Sequence, residues 1–179
     1  GKSWEGRYSF PKFPTGRLTS RTDYLVSGSN TCTVFLSAEE KGVEVDEYSD
    51  RAFCARTNDG GKSLHFLGWM KGKPIAVRSV MPATVRVSDT HLVALLRRRI
   101  DRGLGGDRPP VTENWIDGYE SKDNGMTWNL LSKVGDTDLG KRNGNPPAMV
   151  RLRDGRLVGA YGYRGNPYGI RARISQDNG

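Results

Sequence analysis

An all-β fold of repeated four-stranded antiparallel blades, a β-propeller, is what this sequence predicts. Two independent sets of repeats and the strand patterning between them carry the prediction. The first repeat stands complete as Ser121-Lys122-Asp123-Asn124-Gly125-Met126-Thr127-Trp128. A weaker copy, Thr57-Asn58-Asp59-Gly60-Gly61-Lys62-Ser63-Leu64, has Leu in place of the closing Trp. The sequence opens with Gly1-Lys2-Ser3-Trp4 and closes with Ser175-Gln176-Asp177-Asn178-Gly179, the second and first halves of the same motif. In the second repeat, Pro82-Ala83, Val85-Arg86, Asp89, Leu92-Val93 and Arg99 recur as Pro147-Ala148, Val150-Arg151, Asp154, Leu157-Val158 and Arg164, at one offset of about 65 residues. A period of roughly 50 to 65 residues filled with short strands and turns is that of propeller blades.

The expected layout is about three blades, cut inside a repeat at both ends and leaving two open radial edges. The last strand of a truncated blade falls on residues 1–10, one blade on 22–72, a second on 78–135 and a truncated blade on 143–179. Ala83 to Ser88 is a β-branched run suited to an inner strand, and Asp89-Thr90 turns it into a second strand, His91 to Arg99. Ile100 to Thr112 is glycine- and proline-rich and predicts a loop. Glu113 to Glu120 and Thr127 to Lys133 are the third and fourth strands, joined by the boxed turn. The next blade repeats this with Ala148 to Arg153, Arg156 to Arg164 and Gly169 to Ser175. In the preceding blade Thr31 to Ser37, Ala52 to Arg56 and Ser63 to Met70 are strands, and Ala38 to Arg51 is an acidic loop. Open edges with unpaired strands predict that this stretch by itself aggregates, dimerises or stays partly unfolded.

A net charge of +8 and a pI near 9.7 point to an anionic partner. The positive residues are scattered, with no basic helix and no aromatic stacking platform, which argues against nucleic acid. No apolar run approaches the roughly 18 residues needed to cross a bilayer, so no membrane insertion is expected. Cys32 and Cys54 read as two buried thiols in strands, with pairing as the alternative. His65 and His91 lie far apart without a ligand-spaced Cys or carboxylate, so neither a metal nor a cofactor is expected. Gly103-Leu104-Gly105-Gly106 precedes no helix and is a loop rim, not a phosphate cradle.

The boxed motif is a turn-builder. Asp123 can accept backbone N–H groups, Gly125 can take a positive φ, and Trp128 can pack its ring beneath the turn. Asp59, Asp123, Trp128 and Asp177 are therefore structural residues. An up-down meander sends the boxes to one end of the blades. It sends Arg97, Arg98, Arg99 and Arg164, with the loops Ile100 to Thr112 and Val134 to Pro146, to the other. Alternation points Arg97 and Arg99 one way and Arg98 the other.

The pattern Ser-x-Asp-x-Gly-x-Thr-Trp resembles the Asp-box, or bacterial neuraminidase repeat. With Met81-Pro82-Ala83-Thr84-Val85-Arg86 and Asn145-Pro146-Pro147-Ala148-Met149-Val150-Arg151, the chain from about Asn30 onward looks like part of a six-bladed propeller of the sialidase superfamily. The resemblance implies an exo-acting glycoside hydrolase on terminal sialic acid or a related acidic sugar, in an extracellular or periplasmic setting. It implies three arginines holding the sugar carboxylate, an Asp acid, and a Tyr nucleophile activated by a Glu. The planar guanidinium suits that clamp because it binds a carboxylate in bidentate fashion and keeps its charge.

Position by position, the family's Arg-Ile-Pro arginine has no match two residues before Pro82 or Pro147. Arg99 and Arg164 are the first candidates for binding an acidic glycan, and Arg97 the next. Asp101 is the candidate acid, with Asp107 as second choice. Asp117 is a charged residue inside a strand, and Tyr161, Tyr163 and Tyr168 are sugar contacts or packing residues. No Tyr–Glu pair is assigned. The competing reading is a non-catalytic Asp-box propeller that binds glycan or protein through the same end.

Overall fold

The computed structural model describes residues 2–6, 8–40, 50–70, 77–102, 111–138 and 144–177, and every regular element in it is a β-strand. The first antiparallel meander is β1 (Leu18–Val26), β2 (Cys32–Glu39), β3 (Asp50–Thr57) and β4 (His65–Trp69). The second is β5 (Arg78–Arg86), β6 (Leu92–Arg102), β7 (Val111–Ser121) and β8 (Asn129–Asp136). The third is β9 (Pro147–Arg151), β10 (Leu157–Tyr163) and β11 (Gly169–Ile174). The leading strands pack in succession, β1 against β5 and β5 against β9. A parallel bridge at Arg51 and Ser79 ties β3 to β5. Successive meanders thus pack against one another through their leading strands.

Alternation along β6 explains why its first half, Leu92 to Leu96, is apolar throughout. Leu92, Ala94 and Leu96 face the first meander and join Phe35, Ala52, Cys54, Met70, Tyr119 and Trp128 in one buried cluster. Val93 and Leu95 face the third meander, meeting Val85 and Leu157 in one cluster and Ile116 and Tyr161 in another. A strand buried on both faces loses the polar half of the period-two pattern.

The two complete turns share one hydrogen-bond scheme. In the second meander the Ser121 hydroxyl donates to Asp123 Oδ1 at 2.8 Å and accepts from the Gly125 N–H at 2.7 Å. Asp123 also accepts from the Thr127 N–H and hydroxyl at 2.8 and 2.5 Å. In the first, Thr57, Asp59, Gly61 and Ser63 repeat these bonds at 2.7 to 3.0 Å. Asn124 and Gly125 sit at φ 58° and 99°, and Gly60 and Gly61 at 74° and 92°. That left-handed backbone is why the turn uses Gly and Asn. Partial burial opposes ionisation of Asp123, but the bonds from Thr127 and Ser121 outweigh it and hold the carboxyl below its ordinary range.

The second turn also locks two meanders together, a role absent from the sequence reading. Trp128 Nε1 donates to the Gly125 carbonyl at 3.2 Å, and its ring meets Phe35 edge-on at 6.3 Å and 86°. A Cβ on Gly68 would lie 2.3 Å from the Met126 carbonyl oxygen, so the turn sits directly on β4. The Cys54 thiol donates to the Gly125 carbonyl at 2.8 Å. Arg56 and Arg86 bond the Asn124 carbonyl and side chain.

Burial pushes the Cys54 thiol up to about 12 from 9.0. The unfolded chain therefore loses this proton first. The contribution to stability is complete below about pH 9 and is lost as pH rises toward 12. Denaturant titrations at pH 8 and pH 10.5 should show a steeper alkaline loss in the native chain than in Cys54→Ala. Equal losses would place Cys54 in solvent.

Several sequence expectations need correction. Residues 2–6 and 8–10 form no strand, since no neighbouring edge supplies a hydrogen-bond ladder. Ala38-Glu39 and Asp50-Arg51 belong to β2 and β3, paired in register, and not to the acidic loop. Ile100 to Arg102 and Val111-Thr112 likewise extend β6 and β7, because the ladder continues through the pairs Ile100–Glu113, Asp101–Thr112 and Arg102–Val111. β8 runs to Asp136 rather than ending at Lys133. Cys32 and Cys54 are both free thiols, as expected, but only Cys54 is buried and Cys32 is partly exposed.

Candidate functional site

The strand ends opposite the boxed turns collect the arginines. β5 and β7 begin there, β6 and β10 end there, and Thr137-Asp138 and Asn145 flank the ends of β8 and β9. Backbone bonds tie the end together: the Thr137 N–H donates to the Asn114 carbonyl at 3.0 Å, and the Arg164 N–H donates to the Thr137 carbonyl at 2.8 Å. Asn114 Nδ2 donates to Asp138 Oδ2 at 3.1 Å.

Arg97 is buried and points toward the third meander. Burial first, and then the positive charges of Arg78, Arg99 and Arg164, push its guanidinium down to about 10, while Asp138 acts in the opposite sense. Arg97 also donates to the Met81 sulfur at 3.9 Å. Arg99 is half-buried and stands opposite Arg78 on β5. Arg164 is exposed, and its Nε and Nη2 donate to Asn145 Oδ1 at 3.1 and 2.8 Å. The three sequence candidates Arg97, Arg99 and Arg164 are thus brought into one electrostatic group.

Arg98 points the other way, as alternation requires. It pairs with Asp117 at 3.3 Å, donates to the Tyr119 hydroxyl, and lies 5.7 and 5.6 Å from the ring centres of Trp115 and Tyr119. Asp117, the charged residue inside a strand, therefore has a buried cationic partner.

The sequence reading missed Arg78, Asp50, Asp138 and Asn145. Arg78 donates to Asp50 Oδ2 at 3.1 and 2.5 Å. The reading looked two residues before Pro82 and found Val80. The register of β5 on β6 shifts between Val80 and Ala83, with Met81 at φ 57°, so the arginine at the strand start stands four residues before the proline. Asn145 was visible next to Pro146, but only the fold shows that it fastens Arg164.

Asp101 lies in β6, paired with Thr112, and its side chain is outside the described residues, as are Asp107 and the glycine-rich segment 103–106. Tyr161 and Tyr163 are buried packing residues, with Arg171 over the Tyr163 ring at 3.2 Å, while Tyr168 is exposed. Asp59, Asp123 and Trp128 occupy the opposite end, and Asp177 accepts from the Ser175 hydroxyl at 2.6 Å. His65 contacts Ser63 and His91 contacts Glu120, each at 3.1 Å, and no metal-ligating cluster occurs among the described residues. No helix of the described residues is long and apolar enough to cross a membrane.

No family model matches the chain, and no curated protein does. Among solved structures it is similar to a protein of unknown function from Dyadobacter fermentans, with a TM-score of 0.70 at 21% identity over 97% of this chain and 44% of that one. It aligns more loosely with a GH93 α-L-arabinofuranosidase of Fusarium graminearum in complex with arabinobiose, with a TM-score of 0.48 at 10% identity over 91% of this chain and 60% of that one. An α-L-arabinofuranosidase mutant from the same organism, bound to an iminosugar inhibitor, gives a TM-score of 0.46 at 12% identity over 83% and 42%. The chain spans less than half of the Dyadobacter protein, and that likeness establishes the all-β fold and nothing of the chemistry.

Proposed function

We propose that this chain contributes the arginine-rich end of a sialidase-type, Asp-box propeller, a glycoside hydrolase that removes a terminal sialic acid or related acidic sugar. The observation that carries the reading is the convergence of Arg78, Arg97, Arg99 and Arg164 on one end of adjacent meanders, close enough to depress Arg97. Burying like charges together is unfavourable without a counter-charge. A bound carboxylate reverses the sign by pairing with guanidinium groups in a partly desolvated setting. Arg99 and Arg97 line the second meander's share of the clamp, and Arg164 the third's. Asp101, at the end of the same strand, is the candidate acid. The Asp-box residues serve the fold.

The non-catalytic reading is favoured by a different observation. Arg78 is held by Asp50, Arg98 by Asp117 and Arg164 by Asn145, so part of the basic end is engaged in clamping strands.

The test, made in the full-length protein, is titration with sialic acid, followed by NMR, alongside release of a fluorophore from an aryl sialoside. Arg97→Ala, Arg99→Ala and Arg164→Ala should each weaken binding or turnover at least about tenfold, or about 1.4 kcal/mol, with unchanged far-UV circular dichroism. Binding without turnover selects the non-catalytic propeller. Unchanged binding in all three variants removes the acidic-sugar assignment.

A further inference from the structure

The second repeat places Asn145 where the second meander has Val80, and Gly162 where it has Arg97. In the second meander those two residues pair across β5 and β6. The third meander exchanges the large cation for a residue without a side chain and puts an amide beside it. A Cβ on Gly162 would lie 2.5 Å from Asn145 Nδ2, so a side chain at that position would displace the amide. Arg164 meanwhile keeps the repeat position of Arg99.

Both ends of the amide are engaged. Asn145 Nδ2 donates to the Gly162 carbonyl at 3.0 Å, which turns Oδ1 toward Arg164. Oδ1 accepts from Arg164 Nε and Nη2 at 3.1 and 2.8 Å. The main chain of Arg164 is fixed as well, its N–H donating to the Thr137 carbonyl at 2.8 Å. An exposed arginine ordinarily loses rotamer freedom when it binds an anion, and here that ordering precedes the ligand. Because Oδ1 takes the side edge of the guanidinium, the end edge formed by Nη1 and Nη2 is left to meet a carboxylate in bidentate fashion.

The charge of the partner sets this contact apart. Arg78 is held by the Asp50 carboxylate and Arg98 by that of Asp117, so each of those guanidinium groups is neutralised where it stands. Asn145 orients its arginine without neutralising it. An aspartate at the same place would hold Arg164 equally well, but its carboxylate would compete with that of a ligand for one cation.

We infer that Asn145 is a positioning residue for anion binding, holding Arg164 through an uncharged acceptor so that the guanidinium meets its ligand fixed and fully charged. The inference deepens the acidic-sugar reading and rests on it for the identity of the ligand.

The experiment follows the Arg164 Nε–H signal by NMR of the arginine-labelled full-length protein, in separate titrations with sialic acid and inorganic sulfate. Its loss in Arg164→Lys identifies the signal. In the native protein it should be sharp and should shift as the anion binds. Asn145→Ala should broaden the signal and weaken sialic acid binding at least about tenfold. Asn145→Asp should keep the sharp signal and a Tm no lower than native, yet also weaken binding at least about tenfold. A merely structural contact would not separate stability from binding in that way. Native affinity in Asn145→Asp overturns the inference, as does a native Arg164 signal in Asn145→Ala. A native signal that shifts with sulfate and not with sialic acid removes the acidic-sugar reading and leaves the positioning role to the same variants compared on sulfate. A signal that shifts with neither anion overturns the positioning role itself.

Discussion

Replacing Trp128 with alanine should destabilise the chain by about 3 to 5 kcal/mol, the cost of a large buried aromatic. For a chain of this length that corresponds to a fall in Tm on the order of 10 °C. The side chain is 7% exposed and its ring closes the cluster that joins the first two meanders. Alanine leaves a void against Phe35, Cys54 and Leu92, and the edge-on contact with Phe35 disappears. Trp128→Phe should retain part of the loss because it keeps a ring in the same seat. Asp123→Ala should cost only about 1 kcal/mol, at the low end for a lost hydrogen bond. Its bonds to Thr127 are exposed, so water replaces them. Urea titrations of the three variants provide the ranking. A loss at Asp123 equal to that at Trp128 would mean that the turn, not the interface, is the dominant element.

The repeat period made the strand order legible, because each turn signal fixes the ends of two strands and the apolar runs fill the space between. Strand lengths were less legible. β6 and β7 continue to Arg102 and back from Val111 because ladder pairing between two strands proceeds while partners remain in register, whatever the local propensity. Residues 2–6 and 8–10 include strand-like residues but pair with no strand among the described residues, and propensity alone does not make a strand. At the candidate site, alternation separated Arg98 from Arg97 and Arg99, since the pleat is a local rule. The roles of Arg78, Asn145 and Asp138 were not legible because their relation to Arg97 and Arg164 is created by a bulge and by contacts across meanders. No spacing in the sequence encodes those contacts.

The pair Arg98–Asp117 carries the other large effect. Its side chains are 6% and 9% exposed, and it lies between the rings of Trp115 and Tyr119 on the face turned toward the first meander. Asp117→Ala leaves the Arg98 guanidinium buried without its carboxylate, and Arg98→Ala strands Asp117 in the same way. Each should cost about 3 to 5 kcal/mol. Burial first, and the nearby Arg98 charge after it, lower the proton affinity of Arg51 against the opposing Glu40, so loss of the Asp117 charge also leaves two buried cations less well compensated. Replacing both partners together, as Arg98→Met with Asp117→Leu, removes the charges instead of orphaning one. That double variant should lie within about 1 to 2 kcal/mol of the native chain, since an apolar pair of similar volume can substitute for a buried ion pair. A double-mutant cycle by denaturant unfolding isolates the coupling. Strict additivity of the two single losses would show that the charges are separately solvated. The same variants divide the arginines by role. The double variant should retain sialic acid binding if the clamp is formed by Arg97, Arg99 and Arg164, because Arg98 projects from the opposite face of β6. Loss of binding in a folded double variant would move the anion site to the interface between the first and second meanders.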